Sequence, residues 1–158
     1  MRHLFILIVI FFYSKNVNSQ ANVYNKTSNY SSDIICNLNE NKVYKKTSKY
    51  SSDIICSFKE NKIFKGISTY SSDLLYTIID GKVYKGNSVY SSDIIITIKD
   101  SKIYKGTSVY NNDIIANIKH NKVYKGNSSY SSDILFTIEG NVTIVEFMAI
   151  WHAVNYSF

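Results

Sequence analysis

One tetrapeptide with binding chemistry recurs at a fixed interval. Tyr-Ser-Ser-Asp occupies 30–33, 50–53, 70–73, 90–93 and 130–133, and Tyr110-Asn111-Asn112-Asp113 stands in its place once. A tyrosine face can stack on a sugar ring, and Ser and Asp can hydrogen-bond its hydroxyls. A second row, Tyr24, Tyr44, Tyr84, Tyr104 and Tyr124, joins Tyr50, Tyr70, Tyr90, Tyr110 and Tyr130 as candidate ligand contacts. The ladder also has a structural reading. Asp and Ser would satisfy loop N–H groups ahead of a strand, with Tyr covering the hydrophobic layer. Asn111-Asn112 keeps turn chemistry without hydroxyls, which favours that second reading.

Other constellations are weaker. Calcium needs six to eight oxygens, and each loop offers one carboxylate, so Asp33, Asp53, Asp73, Asp93, Asp113 and Asp133 serve only if a ring gathers them. Two lysine rows (42, 62, 82, 102, 122 and 45, 65, 85, 105, 125) could hold an anionic polymer or form a solvated face that protects edges. Cys36 and Cys56 fill one inward slot that elsewhere holds Tyr76, Ile96, Ala116 and Phe136, which marks a core position. Whether the two thiols pair stays open at this level. His3, His120 and His152 have no partners in a recognisable motif. Metal, phosphate-loop and nucleophile signatures are absent, so no catalytic residue, cofactor or metal is expected and an enzyme is disfavoured.

These residues sit in six copies of a 20-residue repeat, 21–40 to 121–140, without insertion. Each copy has a longer β stretch, typified by Asp93–Lys99. There Ile94, Ile96 and Ile98 would share the core face, opposite Ile95, Thr97 and Lys99. A shorter stretch is typified by Lys82–Lys85. Tight links such as Asp80-Gly81 read as two-residue hairpins. A single hairpin cannot bury its apolar face, so the copies must pack together. The fold class expected is all-β: tandem hairpins in a closed ring or shallow barrel, with an open β-solenoid as the alternative. A membrane-spanning barrel is disfavoured, because its strands need ~9–11 residues.

After Gly140, Thr143 and Glu146 form a capping box, and Ile144, Phe147, Met148, Trp151 and Val154 recur at helical spacing. The helix would plug or cap the β assembly and cover an exposed edge. At the other end, Arg2 and His3 precede the apolar run Leu4–Tyr13, which fits a signal peptide cut after Ser19. An uncleaved anchor is the alternative. The organisation expected is therefore a signal over 1–19, repeats over 20–140 and a helix over 141–158. The destination would be secretion, the periplasm or the cell surface. Cleavage removes Arg2 and Lys15 from 18 basic residues and none of 12 acidic ones, leaving +4. With no Arg and evenly spaced Lys, a nucleic-acid partner is disfavoured. A glycan or a membrane lipid suits the charge better.

The repeat Lys-Val-Tyr-Lys-Gly-Asn-Ser-x-Tyr-Ser-Ser-Asp-Ile, followed by Thr143-Ile144-Val145-Glu146-Phe147 through Trp151, resembles uncharacterised exported bacterial repeat proteins. Their fold resembles the β-flower, a shallow symmetric ring of hairpins. The resemblance spans 21–158 and implies fold and export, with no established activity or site residues. The residues themselves suggest a non-catalytic protein that binds or scaffolds at the cell envelope. A membrane-associated, lipid-binding ring is the alternative.

Overall fold

The computed structural model describes residues 19–156. The signal-peptide reading falls on 1–19 and, apart from Ser19, lies outside the described residues. Twelve strands follow: β1 (Gln20–Asn25), β2 (Ile34–Asn39), β3 (Lys42–Lys45), β4 (Ile54–Lys59), β5 (Lys62–Lys65), β6 (Leu74–Ile79), β7 (Lys82–Lys85), β8 (Ile94–Lys99), β9 (Lys102–Lys105), β10 (Ile114–Lys119), β11 (Lys122–Lys125) and β12 (Ile134–Glu139), then helix α1 (Ile144–Tyr156). Every strand pairs antiparallel with its neighbours, and β1 pairs with β12 to close a barrel. The ring is closed, so the solenoid alternative falls.

Tight turns lie at one end of the barrel and the eight-residue loops at the other. The hairpins turn at Asp80-Gly81, Asp100-Ser101 and His120-Asn121, where both residues have positive φ. That geometry suits the right-handed twist of the flanking strands. The closing pair repeats the same register without a turn. Val23 sits opposite Ile138 and Tyr24 opposite Thr137, just as Val43 faces Leu38 and Tyr44 faces Asn37. Gly140 (φ 121°) lets the chain leave this seam: a Cβ there would sit 2.6 Å from the Gln20 carbonyl oxygen.

The interior differs from simple alternation. Val83 opposes Ile96 while Tyr84 opposes Ile94, so Ile95 is the extra residue of a β-bulge. The same slip recurs at each junction of a short strand with the following long one. Ile94 therefore leaves the interior cluster and Ile95 packs against it, contrary to the expectation of one face for Ile94, Ile96 and Ile98. The fully buried Val23, Val43, Ile63, Val83, Ile103 and Val123 line the interior.

Helix α1 occupies the interior. Five consecutive residues, Phe147 to Trp151, are buried, which leaves no solvent face over that turn. The expected apolar stripe is thus too narrow: Ala149, Ile150 and Ala153 are fully buried, while Ile144 is 40% exposed. Thr143 Oγ1 accepts from the Glu146 N–H at 3.3 Å, and Glu146 Oε2 accepts from the Thr143 N–H at 2.6 Å. The capping box forms as read. No edge needs covering, so the helix acts as a plug. It packs mainly against β2 to β5. There Cys36 and Cys56 keep the wall thin, and the Cys56 thiol lies 3.5 Å from the Ala149 carbonyl oxygen. Two strands round from β2, Phe136 on β12 meets Trp151, ring centres 6.3 Å apart. One asymmetric helix inside a sixfold wall explains why this single slot varies so widely.

Candidate functional site: the tyrosine loops

Each long loop is built the same way, and the fourth copy shows how. Gly86 takes a positive φ of 57°, turning the chain off β7. Ser88 Oγ accepts from the Tyr90 N–H at 3.1 Å and donates to Asp93 Oδ2 at 2.5 Å. The Asp93 N–H donates to the Tyr90 carbonyl at 3.0 Å, closing a 3-10 turn over Ser91–Asp93. All six copies share the Ser-to-Asp bond, at 2.5–2.6 Å. Aspartate is invariant because it fixes the loop through this serine, five residues earlier. The two residues before it are exposed, so Asn111 and Asn112 are accommodated readily.

Sequence reasoning passed over a second tether. The fourth residue of each long strand is always Asn, Ser or Thr, a regularity visible in the repeat itself. Thr97 Oγ1 donates to the Gly106 carbonyl at 2.7 Å, and Thr77 does the same to Gly86. Asn37 Nδ2 reaches both the Lys46 and Ser48 carbonyls, at 2.8 and 2.9 Å. These polar groups, buried in five copies, pin every loop back to the long strand that precedes it in the ring.

The two tyrosine rows part company. Tyr24, Tyr44, Tyr84, Tyr104 and Tyr124 are only 5–9% exposed; they lie on the outer wall, outside the interior cluster. Tyr84 stands opposite Ile94 and Tyr104 opposite Thr97, so this row covers the barrel's outer hydrophobic layer. Its rings are unavailable as a stacking platform. The tyrosine of the tetrapeptide was expected to be that cover, and it is not. Tyr30, Tyr50, Tyr70, Tyr90, Tyr110 and Tyr130 are 72–76% exposed. Their backbones are held by the loop bonds, so their side chains project into solvent. Ile67, Val89 and Val109, also exposed, add apolar surface at the same end. The second and fifth loops each enclose a shallow hollow, lined in the former by Lys45, Ser48, Lys49, Tyr50 and Asp53. Aromatic face, ammonium, hydroxyl and carboxylate meet there, a set suited to a polyhydroxylated ligand.

The two thiols are buried and His152 is half-buried. Cys36 and Cys56 are free thiols, and burial pushes Cys56 up to about 12 and Cys36 higher still. Cys36 pairs with Lys45 and Cys56 with Val43, so all of β3 lies between them. Two inter-strand spacings put their Cα atoms roughly 10 Å apart, beyond the ~7 Å limit of a disulfide. His152 Nδ1 lies 3.1 Å from the Tyr76 hydroxyl, and burial lowers its pKa.

A family model described as "6-fold beta flower protein" matches residues 23–151. No curated protein and no solved structure matches the chain.

Proposed function

The chain belongs to the 6-fold beta flower protein family, and on that premise we propose that it is a non-catalytic, exported, multivalent binding module acting at the cell envelope on a glycan-type ligand. One observation carries this reading: six solvent-facing tyrosines, one per copy, stand on six tethered loops at one end of a closed ring. Exposed aromatic rings on a fixed backbone bind with little ordering cost. Six copies convert weak single-loop contacts into avidity for a repeating polymer. Catalysis asks for unlike groups converging on one point, whereas this ring distributes like groups evenly.

The test is a glycan array with the purified protein, followed by calorimetry on any hit. Substituting Tyr50, Tyr90 and Tyr130 together by Ala should abolish binding to the polymer while leaving the fold intact. Retained affinity in that variant, or no saturable binding to any envelope polysaccharide, would sink the reading.

A further inference from the structure

The end of the barrel opposite the tyrosine loops carries a second site. The position two residues before each tight turn, with Ile138 as its equivalent in the sixth copy, is an inward apolar residue, yet its exposure is uneven. Leu38, Phe58, Ile78 and Ile138 are buried, whereas Ile98 and Ile118 are only partly so. Identical slots in a symmetric wall differ in this way only where the plug fails to cover them. Because α1 leans on β2 to β5, it leaves the mouth open over β8 to β11. The result is a cavity of about 350 Å³ between the helix start and the wall, lined by Ile98, Ile118, Ile138, Ile144 and Phe147. Ser101 and Asn121, at the two adjacent hairpin tips, form its rim, and no lining residue is charged.

Charge gathers just outside it. Lys99 stands directly opposite Lys102, and Lys119 directly opposite Lys122, a pairing that Lys59 and Lys62 repeat elsewhere in the ring. Like charges facing each other across a ladder are destabilising, so stability alone does not favour the arrangement. The tip 119–122 reads Lys-His-Asn-Lys, with His120 where other copies place Glu or Asp. The tip 39–42, farther round the ring, reads Asn-Glu-Asn-Lys and is balanced. Positive charge is therefore greatest at the tip 119–122, the one tip with two lysines and no acid, on a hairpin whose inner face lines the open cavity. Lysine's flexible four-carbon stem lets the ammonium reach the rim.

We propose that this mouth binds a single-chain anionic amphiphile of the fatty-acid class. The alkyl tail enters between Ile98, Ile118 and Phe147, and the carboxylate meets Lys99, Lys102, Lys119 and Lys122. The cavity is at the small end of the ~300–1,000 Å³ range of ligand sites, which suits one chain and excludes two. This goes beyond the tyrosine-loop reading and shares no residue with it, so either can fail alone.

The experiment is calorimetric titration of the purified protein with dodecanoate and with dodecanol, each below its aggregation concentration. Dodecanoate should saturate near one per chain and bind about tenfold tighter than the alcohol, as two or more exposed lysine contacts would give. Lys119→Glu with Lys122→Glu should erase that preference while leaving dodecanol binding unchanged. Ile118→Trp, which fills the mouth, should weaken both ligands. Should that variant misfold, the lysine pair on the outer face still decides the matter. Equal affinity for acid and alcohol, or carboxylate binding that survives the charge reversal, would overturn the proposal.

Discussion

Lys46 occupies a backbone position that glycine fills in four other copies, and replacing it with Gly should stabilise the barrel. Lys26 and Lys46 have φ of 51° and 49°, against 56–58° at Gly66, Gly86, Gly106 and Gly126. The conformation is thus set by the repeat and not by the residue. Holding an L-residue in the left-handed region costs about 1–2 kcal/mol, and the glycine replacement gives back about 0.4–1 kcal/mol through the freer unfolded chain. The side chain of Lys46 is exposed and contributes little to offset this. Lys46→Gly should therefore raise stability by roughly 0.5–1 kcal/mol, or about 2–4 °C in melting temperature for a domain of this size. The mirror substitution, Gly86→Ala, isolates the same term: a Cβ there meets nothing closer than the Leu74 carbonyl oxygen at 3.9 Å, so only backbone conformation is at stake. It should cost a similar amount. Urea denaturation of both variants checks the pair. A neutral or destabilising Lys46→Gly, beside a harmless Gly86→Ala, would refute the claim that conformation selects glycine here.

Three further outcomes follow from the same geometry. Tyr84→Ala should cost ~3–5 kcal/mol, as truncation of a buried aromatic does, while Tyr90→Ala, six residues on, should stay within ~0.5 kcal/mol by chemical denaturation. Both thiols should resist alkylation until the protein unfolds, and mild oxidation should leave them unpaired by mass spectrometry. Because burial raises the thiol pKa, their contribution is complete below the ordinary value of 9.0 and falls as pH climbs, by up to about 1.4 kcal/mol per unit per thiol. Replacing both with Ala should flatten that alkaline limb. Acid acts elsewhere: the Tyr24 hydroxyl and the Asn22 amide hold the Glu139 carboxyl below its ordinary 4.5. That contribution is present above pH 4.5 and disappears as pH falls through the depressed value, so Glu139→Gln should make melting less acid-sensitive.

What the sequence disclosed was whatever local chemistry sets. The two-residue turns, the Thr143–Glu146 box and the aspartate that ends each loop depend on neighbours within a few positions, and all are written in residue types. The bulge at Ile95 was hidden, because one extra residue in a strand of isoleucines leaves no mark: Ile94 and Ile95 are chemically the same. That slip decides which apolar residue enters the interior. It was equally hidden which tyrosine of each copy is covered. Tyr84 and Tyr90 differ only in whether the wall or the loop carries them, and this depends on the neighbouring hairpin. Closure between β1 and β12 requires residues at opposite ends of the repeat array to meet, which no local pattern encodes. The polar fourth residue of each long strand was legible and informative, since a hydroxyl or amide kept in every copy of a buried strand signals a tether.

The seam between β1 and β12 also governs how this molecule can come into being. Open arrays can grow or shorten by one unit and keep their shape, and folding can nucleate in any unit and spread to its neighbours. A ring whose last contact joins Asn22 to Glu139 has no such freedom. Its number of units is fixed by circumference, so deleting one copy should leave two unsatisfied edges in place of a smaller barrel. High contact order enters at that one junction, making zipping of the final pair a natural slow step after five local hairpins have formed. The polypeptide leaving a ribosome cannot complete this circle until its sixth long strand has emerged. Because the seam already has hairpin register, it is also the place where a new covalent turn could join the old ends while any of the five existing turns is cut.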